Sequence, residues 1–392
     1  MTLKRPPVTL ALAAIALALS ACSSGTPSGS TNSLPSAQTS ASAGPSVAVP
    51  SAWSTTGDMV EAPEANAAAL LLDGRVVVMG GPTIRNGERF PFLAELYDPP
   101  TRSWASTGSL LEPRQNFAAI TLVDGRVLVP GGYPGPLAST EVYLADAATF
   151  SATGNLVVAR DTYGAARLAN GTVLIAGGTD TSVNEGHALA AAELYDPVTG
   201  SWTATGSMAE ARIYFTVTLL NNGKVLVAGG SSKGTLGDTL ASAELFDPVE
   251  GTWTATGEMT VPRTGHDAAL LPDGRVLVVG GQNDDGIVAA AEVYDPATGT
   301  WSTTGSLIEP RYDLTVVALG DGKILAVGGS AGHDALPTAE VYDSNTGAWT
   351  SAGSMVAGRS SPTATLLDDG TVLVVGGNSR IAAEIYDPVA GQ

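Results

Sequence analysis

An arginine recurs ten residues before each of six Asp-Gly or Asn-Gly pairs, and a glutamate recurs as regularly further along each unit. A guanidinium group binds carboxylates and sulfates through paired hydrogen bonds, so a ring of arginines could attract an anionic ligand. Residues present in nearly every unit are more typical of a scaffold, which favours Arg–Glu pairing inside the fold. The arginines are Arg114, Arg160, Arg212, Arg263, Arg311 and Arg359, and the glutamates are Glu141, Glu193, Glu244, Glu292, Glu340 and Glu384.

Positions just after these arginines differ between units, which suits recognition better. Aromatic, imidazole and carboxylate groups gathered on one surface could bind a sugar or a peptide. The alternative is that they cap strand ends or face a water-filled channel. The candidate ligand-binding residues are Asn116, Asp161, Tyr214, His266, Asp267 and Asp313. We assign no catalytic residue, metal ligand or cofactor from the sequence.

The elements that position these residues follow from a repeat of about 49 residues, a period typical of four-stranded propeller blades. Each unit contains a β-branched apolar run that ends in Gly-Gly, such as residues 275–281, and this predicts a buried strand. An Asp-Gly or Asn-Gly pair before the run predicts a tight hairpin, because both turn positions need positive φ. A variable loop, an Ala-Glu-x-Tyr-Asp-Pro strand and a Trp strand complete four strands.

This pattern resembles the kelch repeat over residues 52–388, carried in its fullest copy by Gly280-Gly281, Tyr294 and Trp301. The resemblance implies an all-β, seven-bladed kelch-type β-propeller with four antiparallel strands per blade. Trp53 precedes the first full unit, and the seventh unit stops before an eighth Trp. We therefore expect residues 52–57 to supply the outermost strand of the last blade, which would remove two open sheet edges.

The two ends of such blades differ in sequence. One end carries short, nearly uniform Asp-Gly and Asp-Pro turns, whereas the other carries the loops after Gly-Gly and the Trp-to-Arg connections. Loops on a rigid scaffold commonly carry binding sites, so we expect the ligand face at the second end, unless these loops are only tolerated insertions. The most variable loops are residues 82–93, 179–190, 231–241, 282–289 and 330–337. Residues 144–150 replace the usual turn of one unit, where we expect the weakest scaffold.

The first 21 residues are typical of a lipoprotein signal peptide, with Lys4 and Arg5 ahead of an apolar stretch. Leu19-Ser20-Ala21-Cys22 resembles the lipobox of bacterial lipoproteins, which implies lipidation of Cys22, the chain's only cysteine. Residues 23–51 are rich in Ser, Thr, Ala, Gly and Pro, which predicts a disordered linker with a reach of roughly 30 Å. We expect export and attachment to a bacterial membrane by lipid alone, with the protein facing the periplasm or the cell surface.

The functional prediction is a non-catalytic, monomeric envelope lipoprotein whose propeller, residues 52–392, binds a protein or glycan. A formal charge of −19 repels phosphate backbones, which disfavours nucleic-acid binding. Galactose oxidase, a kelch-like propeller enzyme, needs a Cys–Tyr crosslink and two His ligands for copper, whereas His187, His266 and His333 lie in three different units. The alternatives are a sugar mutarotase, epimerase or hydrolase using the same face, and a structural module of the envelope.

Overall fold

The computed structural model describes residues 52–60, 65–80, 84–85, 88–89, 93–180, 187–233, 238–377 and 383–390. The predicted signal peptide (1–21), Cys22 and the linker to residue 51 lie outside these ranges. Within them the chain is all-β, and no helix is long and apolar enough to cross a membrane.

Seven four-stranded antiparallel sheets, which we call blades 1 to 7, surround a central channel. Strands are numbered in chain order. The innermost strands are β2 (Ala65–Leu70), β8 (Ile120–Thr121), β12 (Gly164–Arg167), β16 (Thr216–Leu219), β20 (Asp267–Leu270), β26 (Thr315–Ala318) and β32 (Pro362–Leu366). The second strands are β3 (Val76–Gly80), β9 (Val127–Pro130), β13 (Val173–Ala176), β17 (Val225–Ala228), β21 (Val276–Val279), β27 (Ile324–Val327) and β33 (Val372–Gly376).

The outer half of each blade consists of two further strands. The third strands are β6 (Leu93–Asp98), β10 (Thr140–Leu144), β14 (Ala192–Asp196), β18 (Ala243–Asp247), β24 (Ala291–Asp295), β30 (Thr338–Asp343) and β34 (Glu384–Tyr386). The outermost strands are β7 (Ser103–Ser109), β11 (Thr149–Ala152), β15 (Ser201–Ala204), β19 (Thr252–Ala255), β25 (Thr300–Thr303), β31 (Ala348–Ser354) and, in blade 7, β1 (Trp53–Thr55). Small hairpins are formed by β4 (Ile84–Arg85) with β5 (Glu88–Arg89), β22 (Gln282–Asn283) with β23 (Gly286–Ile287), and β28 (Ser330–Ala331) with β29 (Asp334–Ala335).

The predicted ring closure is confirmed. Strand β1 pairs with β34, Trp53 opposite Tyr386, so the first described strand completes the last blade. The backbone amide of Asp387 donates to the Ala52 carbonyl at 2.8 Å, which extends the ladder beyond the strand. The edges of β1 and β34 that face each other are thereby paired within the chain.

The core lies between neighbouring blades and within their outer layers. The second strands are buried on both faces, which explains their continuous Val, Leu and Ile content. In each blade an aromatic residue of the third strand stacks on one of the outermost strand, with ring centroids 4.9–5.1 Å apart and planes inclined by 42–48°. Such tilted pairs stabilise beyond simple area burial.

Blade 2, which contains the irregular residues 144–150, keeps the common geometry. Tyr143 stacks on Phe150 at 4.9 Å, and β10 and β11 pair without a register shift. Its turn places Ala148 at φ 52°, where the corresponding turn of blade 3 has Gly200 at φ 67°. A left-handed conformation costs a residue with a Cβ about 1 kcal/mol. The lower stability expected of blade 2 stays a prediction, and the strain at Ala148 is its physical reason.

The two ends of the blades separate by connection type. Hairpins between first and second strands, and turns between third and outermost strands, lie at one end, which we call the turn face. Connections from second to third strands and from each blade to the next lie at the other end, which we call the loop face. This arrangement follows from the antiparallel strand order, and it places the candidate residues at or near the loop face.

Candidate binding face

Each connection between blades crosses the loop face from its outer rim to the mouth of the channel. Residues 110–119, which join β7 to β8, illustrate the plan. Leu110 packs into the core, Leu111 projects outward, Arg114 is buried, and Asn116 stands exposed at the mouth. The connection therefore presents two outward positions, one at the rim and one at the mouth, on either side of a buried charge.

The six recurring arginines pair with the recurring glutamates of their own blades. The Nη2–Oε1 distances are 2.5–3.1 Å, and the arginine side chains are completely buried. In blade 5, Arg263 Nη1 also donates to the carbonyls of Gly280 and Ala290 at 2.9 and 2.6 Å. Burial lowers the pKa of Arg263, and the Glu292 carboxylate opposes that shift. These arginines are not displayed to a ligand.

The paired glutamate also holds the connection itself. Glu292 Oε2 accepts from the backbone amide of Thr260 at 2.7 Å, and Oε1 accepts from that of Val261 at 3.1 Å. One buried ion pair thus joins the third strand, the Gly-Gly end of the second strand and the rim of the loop face. In blade 1, Glu95 makes the same bond to Val60, and Pro63, which replaces arginine there, lies outside the described residues.

The second residue after each of the six arginines has left-handed backbone geometry, with φ between 51° and 61°. Backbone bonds link several of these positions around the mouth: Gly265 donates to Tyr214 at 3.2 Å, Asp313 to Gly265 at 2.8 Å, and Ser361 to Asp313 at 2.7 Å. We call these residues the mouth positions. They are Asn116, Thr162, Tyr214, Gly265, Asp313 and Ser361.

Three of the candidate residues, Asn116, Tyr214 and Asp313, occupy mouth positions. Thr162 and Ser361 share this place and were not predicted as ligand-binding residues, although each also lies two residues after an arginine. Asp161 lies one residue earlier and is almost fully buried. Its backbone bridges to Thr179, and its Oδ1 accepts from the Thr162 hydroxyl at 2.6 Å.

His266 lies one residue beyond the mouth position of blade 5 and is buried between blades 4 and 5. Its ring packs against Gly229 of blade 4, just as Phe215 packs against Gly177 of blade 3. Nε2 is 3.1 Å from the Ala228 carbonyl, which can only accept, so Nε2 carries the proton. Burial, and secondarily the Arg263 charge, lower the pKa of His266 to about 3, so the ring is neutral at physiological pH.

Asp267 begins β20 and lies in the channel wall below the mouth. Its Oδ2 accepts from the backbone amide of Val316 in blade 6, and its Oδ1 accepts from that of Ala268, both at 2.8 Å. Burial raises the pKa of this carboxyl to about 6, although both hydrogen bonds favour the charged form. The side chain therefore joins two inner strands.

The mouth positions include one acid, Asp313, and one large aromatic residue, Tyr214. Tyr214 is 42% exposed, and burial followed by the charges of Asp313 and Asp161 raises the pKa of its phenol. A carboxylate oxygen of Asp313 lies 2.9 Å from where a Cβ on Gly265 would stand, so the acid overlies the mouth. Burial also raises the pKa values of Asp161 and Asp313. The ion pairs found among the described residues do not include either acid.

The variable loops are described in part. Residues 282–289 and 330–337 form small hairpins on the loop face, and β4 and β5 form a third after blade 1's second strand. The rest of residues 82–92, and residues 181–186 and 234–237, fall outside the described residues. Within the ranges that are described, no three His, Cys, Asp or Glu side chains converge as metal ligands.

Comparisons with known proteins agree with this architecture. The kelch motif matches residues 214–260, 268–307 and 310–356. Kelch-like protein 34 of Homo sapiens is 34% identical over 93 residues, which cover 24% of this chain and 14% of that protein. The F-box/kelch-repeat protein At1g67480 of Arabidopsis thaliana is 35% identical over 101 residues, covering 25% and 26%. The chain thus matches about a quarter or less of either relative's length.

Two solved structures show the same fold at low identity. A fungal alcohol oxidase of the AA5 family, solved in complex with copper, superposes with a TM-score of 0.70 at 18% identity, over 87% of this chain and 76% of the oxidase. The structure of YjhT gives a TM-score of 0.58 at 13% identity, over 76% of this chain and 99% of YjhT. At these identities the likeness concerns the fold alone.

Fold and repeats together define the class of protein: the chain is a seven-bladed β-propeller with kelch repeats. It resembles the galactose oxidase-like propellers in architecture. The three histidines of this chain do not form a copper site together, because His266 already donates to a backbone carbonyl, and His187 and His333 lie in the loops of other blades.

Replacement of Arg263 by alanine is expected to destabilise the fold by about 3–5 kcal/mol, because Glu292 would keep a buried charge without its cation. Arg275→Ala is the matched control, since Arg275 pairs with Asp273 at the exposed turn face, where such pairs contribute about 0–1 kcal/mol. Urea denaturation of both variants measures the difference. Equal denaturation midpoints would contradict the structural role of the buried pair.

Replacement of His266 by phenylalanine, as found at the same place in blades 2 and 4, is expected to flatten the pH dependence of stability. The folded ring stays neutral, whereas the unfolded ring gains a proton below about pH 6.5. Wild-type stability therefore falls as pH drops from 6.5 towards 3, by up to about 1.4 kcal/mol per pH unit from this residue. Melting curves at pH 7.5 and 5 should show a larger loss in the wild type than in the variant. Parallel losses would refute burial of a neutral ring.

Proposed function

We propose that this chain is a non-catalytic binding protein whose loop face docks a protein partner. The observation that carries the proposal is that repeated and variable residues occupy different parts of the fold. The repeated ones, such as Arg263, Glu292 and Tyr294, are buried in the scaffold, and variation is concentrated in the loops and mouth positions. Kelch propellers generally bind protein partners, which supports a protein over a glycan.

The composition of the loop face supports the same proposal. Tyr133 and Tyr214 are each more than two-fifths exposed, and the Tyr312 hydroxyl donates to the carbonyl of Gly332 in the hairpin of blade 6. Tyrosine is enriched at protein interfaces, because it combines a large contact area with a polar end and little conformational freedom to lose. The rigid ring of inner strands holds these groups in place before any partner arrives.

Residues that sequence reasoning would offer for acid–base chemistry already have structural partners. The His266 ring is neutral and bonded to the Ala228 carbonyl, and both carboxylate oxygens of Asp267 accept backbone amides. A sugar mutarotase, epimerase or hydrolase would need such groups free to exchange protons with substrate. Binding without turnover therefore fits the geometry better than catalysis.

We further propose that the propeller is an exported lipoprotein held at a membrane by lipidated Cys22 and spaced from it by residues 23–51. The support is the sequence of the amino terminus: a short basic stretch, an apolar segment and small residues directly before the only cysteine. A tethered propeller with a variable face suits capture of partners in the cell envelope.

The docking proposal is tested by placing a photo-crosslinking amino acid at single positions of the full chain in intact cells. Tyr133 and Tyr214 sample the loop face, and Val198 and Val249, which are 88–92% exposed, sample the turn face. We expect discrete protein crosslinks from the loop-face positions only. Crosslinks from the turn face alone would reverse the assignment, and conversion of a reducing sugar by the purified protein would favour the enzyme.

The anchor is tested separately by Cys22→Ser, which removes the acceptor of the lipid. We expect the wild-type protein to sediment with membranes, and the variant to appear in the soluble fraction with an unchanged melting temperature. Ser23→Ala, at the neighbouring position, serves as the control and should remain attached. Tight membrane attachment of the Cys22→Ser protein would show that lipid is not the anchor.

A further inference from the structure

An arc of exposed apolar side chains runs along the rim of the loop face. Each arc residue follows a Leu or Met that packs against the core, and its backbone amide donates to the repeat glutamate at 2.6–2.8 Å. These bonds fix the backbone while the side chains project outward, 51–69% exposed. We call them the rim arc: Val60, Leu111, Val157, Ile308 and Val356.

The rim arc covers only part of the circle. The connections into blades 4 and 5 carry Ala209 and Thr260 at the same position, with the same glutamate bonds at 2.7–2.8 Å. Large apolar groups therefore extend from the connection into blade 6, through blades 7, 1 and 2, to that into blade 3. Tyr214, the aromatic residue of the mouth, belongs to blade 4 on the interrupted side. The face is thus asymmetric and can orient a bound chain.

Among the side chains of this face that the structure describes, charge is predominantly negative. In three blades the buried arginine is approached by a second, half-exposed glutamate (Glu112, Glu210 or Glu309) at 3.4–3.9 Å. Each of these arginines already pairs with the buried repeat glutamate, so each such blade has one carboxylate in excess. Lys233, an exposed base of this face, pairs with Asp238 at 3.0 Å. An incoming partner therefore meets carboxylates at the rim and at the mouth.

We propose that the partner is a protein segment rich in lysine or arginine and in aliphatic residues. A basic side chain enters the mouth between the Tyr214 ring and the Asp313 carboxylate, and aliphatic side chains lie on the rim arc. A cation beside an aromatic face and a carboxylate is stabilised by both. Asn116 is five positions after Leu111, so rim and mouth are at most about 17 Å apart, a span that a short extended segment covers. The inference rests on the proposed function and specifies its partner.

The test uses three synthetic peptides of equal length, in which leucine alternates with lysine, glutamine or glutamate. Their dissociation constants for the full-length protein are measured by fluorescence anisotropy at physiological salt. We expect the lysine peptide to bind at least about tenfold more tightly than the glutamine peptide, and the glutamate peptide not to bind.

Variants of the loop face locate the binding. Tyr214→Asn copies the residue of blade 2 at the same left-handed position, and Asp313→Asn removes one charge. Leu111→Ser with Ile308→Ser shortens the rim arc. Each is expected to weaken the lysine peptide about five- to tenfold or more. The controls on the turn face are Asp196→Asn, and Val198→Ser with Val249→Ser, which should leave affinity unchanged. Melting temperatures verify that every variant is folded.

The other outcomes overturn the inference in distinguishable ways. Equal weakening by Asp196→Asn and Asp313→Asn would reduce the binding to general attraction by an acidic protein. A glutamine or glutamate peptide that binds as tightly, and depends on Leu111 and Tyr214, would reject the basic partner while leaving loop-face docking intact. Dimerisation in sedimentation that is lost in Leu111→Ser with Ile308→Ser would assign the rim arc to a second copy. No binding by any peptide rejects the inference, and the crosslinking result then decides the proposed function.

Discussion

The buried arginine–glutamate pair is the interaction on which the loop face depends. Removing two charges from water is costly, and their mutual attraction offsets this only when the remaining hydrogen-bonding groups are satisfied. The pair of Arg263 and Glu292 meets that condition: the guanidinium donates to two strand-end carbonyls, and the carboxylate accepts two amides of the connection. The pair therefore sets where each connection begins its path across the face.

A connection fixed in this way presents its variable residues on a rigid backbone. The rim residue is bonded through its amide, so only its side chain is free, and the mouth residue is held in a left-handed conformation by bonds to neighbouring blades. Side chains that need little ordering lose less entropy on binding, which raises the affinity obtained from a given contact area. Sequence can thus vary at these positions without loss of the scaffold, and recognition can change while the fold is kept.

The fold could be predicted almost entirely from the sequence, but the detailed assignment of the candidate residues could not. Period, turn pairs and Gly-Gly doublets each specify local geometry, and all of them agree on the same strands. The surroundings of a side chain change with each step along the repeat. Asp161, Gly265 and His266 follow the arginines of their blades by one, two and three residues, and each of these positions has different neighbours. In blade 5 the mouth position is a glycine, so the residue types there do not show which position faces the mouth. His266 and Asp267 were therefore predicted as ligand-binding residues, whereas His266 packs between blades and Asp267 bonds to the neighbouring inner strand.

The same relation between position and surroundings keeps the six arginines behind the loop face out of contact with solvent. Every one of those guanidinium groups is buried beside its repeat glutamate, and the position two residues later has the left-handed conformation that precedes the inner strand. In the described part of the face, the half-exposed rim glutamates share three of these arginines with the buried repeat glutamates, so carboxylates outnumber cations there. Such a field accelerates encounter with a basic partner and rejects acidic ones, whereas contact with the rim arc supplies affinity that salt does not screen. Since the arc is interrupted beside Tyr214, the two contributions meet in one orientation only.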